Sequence, residues 1–484
     1  MKILHVASEV APWCQSGGLA DVVGALPGAV DQLGGGAVRS AVVAPLYRGA
    51  RERALALGAE VSDAGDATVV LGATRVQARW VSVKATERPT AFLLDAPALY
   101  DRDGFYVDGD GVDFDDNALR FAVLSRAACE HGARLLGATP DIVHAHDWQT
   151  GLAPVYASAG AGTPPKTVFT IHNLAHQGNF AKDLVPQLGL DWSLFNSDQL
   201  EFYDQLSFLK AGVALSDAVT TVSPSYAEEI TTSDLGFGLT GFLDGRLRGI
   251  VNGIDVTAWD PSADTHIAER YSAANPAGKG ACRQALVRAL ELDAGPDTLL
   301  IGIVSRLAWQ KGIDLVANLA PALEGMGAAL VVLGDGDAAL GRRLCAAAAA
   351  CPARIAVRMG FDVPLSHQIY AGCDAILVPS RFEPCGLTQL YAMRFGAVPI
   401  VRATGGLKDT VEDPGDAALR LGDGNGIAFS DATVEDLSAA VLRAVALHRD
   451  QSAWARVVQA GMQRDSSWSL SARRYLDTYR SLVA

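Results

Sequence analysis

The chain contains two successive sets of short, continuously apolar runs, and Ala- and Leu-rich segments of helical pattern separate the runs. The first set lies at residues 3–8, 40–45, 141–146, 166–172 and 218–223, and the second at 299–305, 328–334, 354–360, 375–380 and 398–402. Buried strands that alternate with amphipathic helices are typical of a parallel sheet covered by helices on both faces. We therefore predict an α/β protein with two doubly wound, Rossmann-like sheets.

The segment between the two sets is rich in Gly, Asn, Asp and Pro, and it predicts a hinge linker near residues 253–265. A chain of 484 residues also exceeds what one hydrophobic core usually organises. We predict one domain over 1–257 and a second over 258–462, with a C-terminal helix over about 463–484 that can pack back on the first domain. Ligands of such sheets bind at the carboxyl ends of the strands, so two facing domains would form a deep cleft.

The charge balance limits the classes of partner. The chain has 40 Lys and Arg against 54 Asp and Glu, a formal net charge of −14, which repels nucleic acids and anionic membranes. No window offers the roughly 20 consecutive apolar residues of a membrane helix, and the N-terminus lacks the apolar region of a signal peptide. The seven cysteines show no paired spacing, which favours reduced thiols in a cytoplasmic protein.

Loops after two of the predicted strands carry groups that suit a phosphate. Gly17 and Gly18 lie at a strand-to-helix turn, where backbone amides and the helix N-terminus favour an anion, although a turn needed only for packing explains them equally well. The spacing is not that of a dinucleotide-binding fingerprint. Arg306 and Lys311 follow a strand of the second set and could clamp a diphosphate, the alternative being two solvated surface charges.

A third loop, in the segment SRFEPCGLTQLY, carries Glu383. This carboxylate can accept hydrogen bonds from sugar hydroxyls, and the amides of Gly386, Leu387 and Thr388 can meet a phosphate. A helix N-terminal acid that only stabilises the helix dipole is the alternative for Glu383, and the two roles are compatible.

Histidines and polar residues end two strands of the first set, in VHAHDWQT and TIHNLAHQG. Zinc is one interpretation, but no helical H-x-x-x-H pair is present, and sugar-binding clefts use the same residue types. Trp148 and Tyr100 are either core residues or platforms for a sugar ring. We predict no metal site.

The segments SGGLADVVGALP, HAHDWQTGLAP, TIHNLAHQG, SRLAWQKGIDL and SRFEPCGLTQLYAMRFG, in this order, resemble bacterial glycogen synthases and plant starch synthases. The resemblance spans nearly the whole chain. It implies the GT-B fold and the transfer of glucose from ADP-glucose to the non-reducing 4-hydroxyl of an α-1,4-glucan, with retention of configuration. It further implies same-face attack assisted by the departing diphosphate, without a metal or other cofactor.

The resemblance also implies roles for residues of this chain. The implied catalytic residues are His172, Arg306, Lys311 and Glu383. The implied donor-binding residues are Gln15, Gly17, Gly18, Asp21, Tyr100, Asn173, Asn252, Phe361, Cys385, Gly386, Leu387 and Thr388. The implied acceptor-side residues are Asp147 and Trp148. Phe361 lies where the family usually has a Tyr that stacks on adenine.

Gln15 departs from the family pattern, because the family's glycine loop normally begins with Lys. Loss of that ammonium group removes a charge-assisted phosphate contact of about 1–3 kcal/mol. Two alternatives therefore stay open beside the implied activity. One is the same reaction with UDP-glucose as donor, and the other is a weakly active or non-catalytic glucan-binding paralogue.

Overall fold

Hydrogen bonding between the apolar runs builds two separate sheets in the computed structural model, which describes residues 1–159 and 163–484. The sheets belong to two units of the chain. Unit 1 comprises Met1–Gly253 together with Trp468–Ala484, and unit 2 comprises Ile254–Ser467. The prediction of two doubly wound α/β sheets is confirmed.

Unit 1 is built around a nine-stranded sheet, counted over the described residues, with the order β14-β13-β9-β8-β1-β2-β7-β6-β3. Its pairs are parallel except for β7-β6 and β6-β3, which form an antiparallel edge. The strands of unit 1, β1 to β14, are Lys2–Val6, Arg39–Pro45, Glu60–Asp66, Val69–Leu71, Thr74–Val76, Arg79–Lys84, Thr90–Asp95, Ile142–His146, Lys166–Ile171, Asn179–Ala181, Glu201–Phe202, Gln205–Ser207, Ala218–Thr221 and Leu247–Gly249.

The helices of unit 1 that precede unit 2 in the chain cover the sheet and fill its connections. They are α1 to α9: Gly18–Gly34, Ala50–Ala56, Pro97–Tyr100, Asn117–Leu136, Ala153–Ser158, Leu184–Gln187, Phe208–Leu215, Pro224–Glu229 and Thr240–Leu243. Short 3₁₀ turns lie at Trp148–Thr150 and Trp192–Leu194.

Unit 2 has a six-stranded, wholly parallel sheet among the described residues, with the order β17-β16-β15-β18-β19-β20. Its strands, β15 to β20, are Leu299–Val304, Ala328–Gly334, Ile355–Met359, Ala375–Val378, Val398–Arg402 and Ile427–Phe429. Its helices, α10 to α19, are Ala277–Ala289, Ile313–Leu319, Leu323–Met326, Ala338–Ala350, Val363–Gly372, Thr388–Arg394, Gly405–Thr410, Asp416–Leu421, Val434–Arg449 and Gln451–Gln463. Further 3₁₀ turns lie at Trp309–Lys311 and Ala320–Ala322.

The burial of the central strands explains why the apolar runs become sheet. Every residue of β16 is buried, as expected for a strand covered on both faces.

Side chains at the helix ends cap the free backbone amides. Asp337 accepts hydrogen bonds from the Ala339 and Leu340 amides at the start of α13, and Thr433 accepts one from the Asp436 amide in α18.

The last helix, α20 (Ser469–Val483), belongs to unit 1. Its buried Tyr475 and Tyr479 lie in one apolar cluster with Val22, Leu26 and Val30 of α1. No helix in the described part of the chain is long and apolar enough to cross a membrane.

Candidate functional site

An ion pair lies at the carboxyl edge of the unit 2 sheet. β15 and β18 are parallel neighbours, so the loops that follow them meet at one edge. Lys311 Nζ donates to Glu383 Oε2 at 2.5 Å, and Ser380 Oγ donates to the same oxygen at 2.8 Å. The side chains of Lys311 and Glu383 are only 20% and 8% exposed. A cation and a carboxylate, partly removed from water, thus occupy the place where ligands bind in such sheets.

Glycines allow these loops to approach one another. Gly312 has a φ of +67°, and a Cβ there would lie 2.1 Å from the Pro379 carbonyl oxygen. Gly405 has a φ of +45°, and a Cβ there would lie 2.0 Å from the Glu383 carbonyl oxygen, which also accepts the Gly406 amide at 3.1 Å. Neither position tolerates a larger residue without movement of the backbone around Glu383.

Arg381 braces the two loops and was missed by the sequence reasoning. Its guanidinium makes a bidentate pair with Asp314 at 2.6 and 2.8 Å and lies 4.5 Å above the centre of the Trp309 ring. Its backbone amide donates to the Gln310 carbonyl oxygen at 2.8 Å. Arg381 therefore stabilises the loops of the site. Its position in the loop after β18, next to Ser380, is the sequence feature that could have identified it.

Arg306 differs from Arg381 because its guanidinium is exposed and makes no ion pair with any residue that the structure describes. Phe361 is 88% exposed, so its ring offers a free face. Lys311, Ser380 and Thr388 line one small cavity between the ends of β15 and β18.

The SRFEPCGLT segment carries the other predicted donor-binding residues of unit 2 in the turn that leads to Thr388. Cys385 is buried, and Gly386 adopts a φ of +72°. The side chain of Gln389 donates from Nε2 to the Gly386 carbonyl oxygen at 2.8 Å, which fixes the turn before α15. Leu387 and Thr388 form the start of this helix.

The glycine loop of unit 1 is held by a carboxylate that the sequence reasoning missed. Glu9 accepts hydrogen bonds from the Ser16 amide, from Ser16 Oγ at 2.6 Å, from the Gly17 amide at 3.3 Å and from the Tyr106 hydroxyl at 2.5 Å. Burial raises the pKa of Glu9. The Gly17 amide, which was expected to face a ligand, thus bonds Glu9 together with the Ser16 amide, while Gln15 is exposed and donates to Asp21 at 2.9 Å.

Asp147 holds the ends of two neighbouring strands of the unit 1 sheet, β8 and β9. It follows β8 with a φ of +59°, and its Oδ1 accepts the amides of His172 at 2.7 Å and Asn173 at 3.3 Å. Burial raises the pKa of Asp147 to about 7. The structure therefore brings Asp147, His172 and Asn173 together, because β8 and β9 are parallel neighbours.

Buried imidazoles continue inward from His172. His146 lies between His172 and His5, with nitrogen–nitrogen distances of 3.1 and 3.2 Å. His144 bonds Tyr479 at 2.7 Å and Thr170 at 2.6 Å. The nitrogens of His5, His144 and His146 lie within 4.8 Å of one another, a donor set that could hold a metal. Burial lowers the pKa of His172 and of His5 to about 3, so these rings are neutral.

Three further predicted residues are enclosed by protein. Tyr100 is fully buried, and its hydroxyl donates to the Arg120 carbonyl oxygen at 2.6 Å, so it lies in the core of unit 1 and offers no accessible surface. Trp148 packs beneath Gly178, where a Cβ would lie 2.2 Å from the Trp148 ring. The Oδ1 atom of Asn252 is enclosed and lacks a hydrogen-bond partner among the described residues.

Comparison with known proteins agrees with this arrangement. Residues 2–245 match the family model of the starch synthase catalytic domain, and residues 291–458 match that of glycosyl transferases group 1. The chain belongs to the starch and glycogen synthase family. It is 46% identical to a glycogen synthase of Anaeromyxobacter dehalogenans (strain 2CP-1) over 493 residues, covering 100% of this chain and 99% of that one. It is 45% identical to a glycogen synthase of Acidiphilium cryptum, with 100% of each chain covered.

Solved structures show the same fold for this family member. The catalytic domain of starch synthase IV from Arabidopsis thaliana, bound to ADP and acarbose, matches with a TM-score of 0.90 and 30% identity over 99% of both chains. A sucrose-phosphate synthase from Thermosynechococcus elongatus matches with a TM-score of 0.61 at 16% identity, over 99% of this chain and 98% of that one, and so shares the fold. The predicted GT-B fold and the predicted family are confirmed, and the chain is a retaining glycosyltransferase.

Proposed function

We propose that this chain transfers glucose from ADP-glucose to the non-reducing end of an α-1,4-glucan such as glycogen, with retention at the anomeric carbon. The Lys311–Glu383 pair at the carboxyl edge of the unit 2 sheet carries the proposal, since it sets a cation beside a carboxylate that can accept hydrogen bonds from sugar hydroxyls. The relatives named glycogen synthase and the starch synthase structure bound to ADP and acarbose support the identity of donor and acceptor.

In the proposed reaction the bond between the glucosyl carbon and the diphosphate oxygen breaks while the acceptor 4-hydroxyl attacks from the same face. The hydroxyl proton passes to the departing diphosphate. Arg306 and Lys311 stabilise the negative charge that develops on the leaving group. Glu383 accepts hydrogen bonds from the glucose hydroxyls and holds the Lys311 ammonium group in position.

We assign the other predicted residues to the two ligands. In unit 2, Phe361 stacks on the adenine, and the turn from Cys385 to Thr388 meets the phosphates. In unit 1, His172 and Asn173 contact the glucose. Asp147 lies on the acceptor side and holds the amides of His172 and Asn173. Gln15, Gly17, Gly18, Asp21 and Asn252 complete the proposed donor contacts. Tyr100 is enclosed in the core of unit 1 and is assigned to neither ligand.

No metal ion takes part in the proposed step, because Arg306 and Lys311 supply the positive charge that a divalent cation would otherwise contribute. We expect dialysis against a chelator to leave the turnover unchanged. We also propose a cytoplasmic location, which the seven unpaired cysteines of the described chain support, and glucan rather than nucleic acid as the polymeric partner.

Donor specificity decides between this proposal and its alternative, UDP-glucose, which the neutral Gln15 favours. Nucleotide release should be measured with each donor, with and without glycogen. We expect release that requires glycogen and is faster with ADP-glucose. Faster release with UDP-glucose would reassign the donor, and glycogen binding without release from either donor would indicate a glucan-binding paralogue. Arg306→Gln should lower kcat by about 10²–10³.

A further inference from the structure

Three buried imidazoles form a hydrogen-bonded row that ends at His172. His5 lies on β1, His146 ends β8, and His172 directly follows β9. The Nδ1 atom of His5 lies 3.2 Å from Nε2 of His146, and Nδ1 of His146 lies 3.1 Å from Nε2 of His172. We call these three side chains the imidazole row. The row connects the core of unit 1 to the carboxyl edge of its sheet.

The register of the parallel strands produces the imidazole row. His5 pairs with His144 across β1 and β8, and His146 lies two residues beyond His144. His146 pairs in turn with Thr170 of β9, and His172 lies two residues beyond Thr170. Because side chains return to the same face of a strand at every second residue, each strand carries its imidazole one step closer to the carboxyl edge.

Each ring of the imidazole row carries a single proton. The three side chains are buried, and no carboxylate in the described part of the chain bonds one of their ring nitrogens. Burial therefore keeps the pKa of each ring well below its ordinary value, and the rings are neutral. A neutral imidazole has one N–H donor and one bare acceptor nitrogen. Since His146 uses one nitrogen for each neighbour, it donates to one of them and accepts from the other.

Both hydrogen bonds of the row must therefore point the same way, and His5 distinguishes the two directions. In an inward row, His5 would accept at Nδ1 and would carry its proton on Nε2. That Nε2 atom is enclosed and has no hydrogen-bond partner among the described residues. Proteins leave buried N–H donors unpaired less often than buried acceptors. An outward row, from His5 through His146 to His172, leaves only a bare nitrogen at this place.

An outward row fixes which nitrogen His172 offers to a ligand. His172 then accepts from His146 at Nε2 and carries its own proton on Nδ1. The Nδ1 atom bonds no other residue that the structure describes, and His172 is 9% exposed. Asp147 separately fixes the backbone of His172 by accepting its amide at 2.7 Å. The position and the tautomer of His172 thus depend on different contacts.

We propose that His5 and His146 are positioning residues, which hold His172 in the Nδ1–H tautomer so that it donates a hydrogen bond to the bound glucose. The contact with glucose rests on the proposed function, whereas the tautomer is a property of the protein without ligands. Hydrogen bonds in a row polarise one another, so the last donor is stronger than that of an isolated imidazole. A tautomer that is set in advance also lowers the cost of binding.

NMR of the full chain, labelled with ¹⁵N in its nine histidine rings, measures the tautomer directly. Bare and protonated ring nitrogens differ in chemical shift, and His172→Gln assigns the signals of that ring by their loss. We expect wild-type His172, without ligands and at neutral pH, to be protonated on Nδ1 and bare on Nε2. The spectrum should stay the same after dialysis against a chelator, because no metal occupies the bare nitrogens of an intact row.

The substitution His5→Leu removes the first donor of the row, and His5 is fully buried, so it touches no substrate. We expect His172 to become a mixture of its two tautomers. The kcat/KM for ADP-glucose, from nucleotide release with glycogen, should fall about fivefold, as for the loss of one neutral hydrogen bond.

The matched control is His144→Leu. His144 is as buried as His5, but its ring bonds Tyr479 and Thr170 instead of the row. Both variants should melt at a lower temperature than the wild type, because each loses buried hydrogen bonds. Only His5→Leu should change the tautomer of His172, and His144→Leu should keep kcat/KM within about twofold of the wild type.

Several results would overturn the proposal. They are a wild-type His172 that is bare on Nδ1, doubly protonated or a mixture of tautomers, a spectrum that changes with the chelator, and an unchanged tautomer or equal kinetic losses in the two variants. If a variant does not fold, the wild-type spectrum still decides. If the wild type shows the expected tautomer but releases no nucleotide, the imidazole row stands and the proposed function fails.

Discussion

The substitution Glu383→Gln tests the core of the unit 2 site, because it removes a charge and keeps the shape of the side chain. The Lys311 ammonium group then loses the carboxylate that lies 2.5 Å away. Breaking a fully buried ion pair costs about 3–5 kcal/mol, and breaking an exposed one costs about 0–1 kcal/mol. Lys311 is 20% exposed and can partly rehydrate, so we expect a loss of about 2 kcal/mol in the free energy of unfolding.

The effect on turnover should be much larger than the effect on stability. Glu383 is expected both to bond the glucose and to hold Lys311 against the leaving group, so its loss should lower kcat by about 10²–10³. Denaturant titration followed by tryptophan fluorescence gives the stability, and nucleotide release at saturating ADP-glucose and glycogen gives kcat.

A second ion pair of unit 2 provides the control. Asp413 pairs with Arg443 at 3.0 Å, and its side chain is as enclosed as that of Glu383. Asp413→Asn should cost similar stability and leave kcat within about twofold of the wild type, because no reacting group touches it. A folded Glu383→Gln protein with a kcat within about threefold of the wild type would refute the assignment of Glu383.

Three further substitutions probe other parts of the account. Gln15→Lys should tighten ADP-glucose binding about tenfold in calorimetry, and an unchanged Kd would show that this loop does not face the phosphates. The pKa of Asp147, raised to about 7, makes the folded state bind more protons than the unfolded state between about pH 4 and 7, so this residue lowers stability as pH rises through that window. Asp147→Asn should flatten that decline in denaturant titrations at about pH 5 and 7, and a decline as steep as in the wild type would contradict the shift. Gly312→Ala should lower the free energy of unfolding by about 2 kcal/mol or more, because the new Cβ is strained at positive φ. Gly325→Ala should not lower it, because the space around that Cα is open. Equal melting temperatures for the two variants would contradict this prediction.

The sequence predicted those parts of the fold that depend on continuous apolar runs. The ten predicted runs match β1, β2, β8, β9, β13 and β15 to β19, because strands buried on both faces show no polar alternation. Strands β6, β7, β14 and β20 were missed. The edge strand β3 was also missed, because most of its side chains face solvent and carry no apolar signal. The order of the strands could not be predicted from the sequence either. β15 pairs with β16, the next strand in the chain, but also with β18, which comes much later.

Strand order also limited what the sequence could predict about the site. Lys311 and Glu383 could be named from the loops that carry them, but their contact depends on β15 and β18 being neighbours. Glu9 gave no signal of its own, because its role arises from the fold of the glycine loop around it. Tyr100 was predicted to bind the donor, but the fold encloses it in the core. Its hydroxyl donates there to the carbonyl oxygen of Arg120, 20 residues further along the chain.

Transfer of labelled glucose tests the central claim most directly. The protein is incubated with ADP-glucose labelled in the glucose and with glycogen, and the polymer is then digested with a hydrolase specific for α-1,4 bonds. We predict that the label enters the polymer in the wild type, that the hydrolase releases all of it, and that Glu383→Gln incorporates far less. Label that appears only as free glucose, or that stays in the polymer after digestion, would contradict the account.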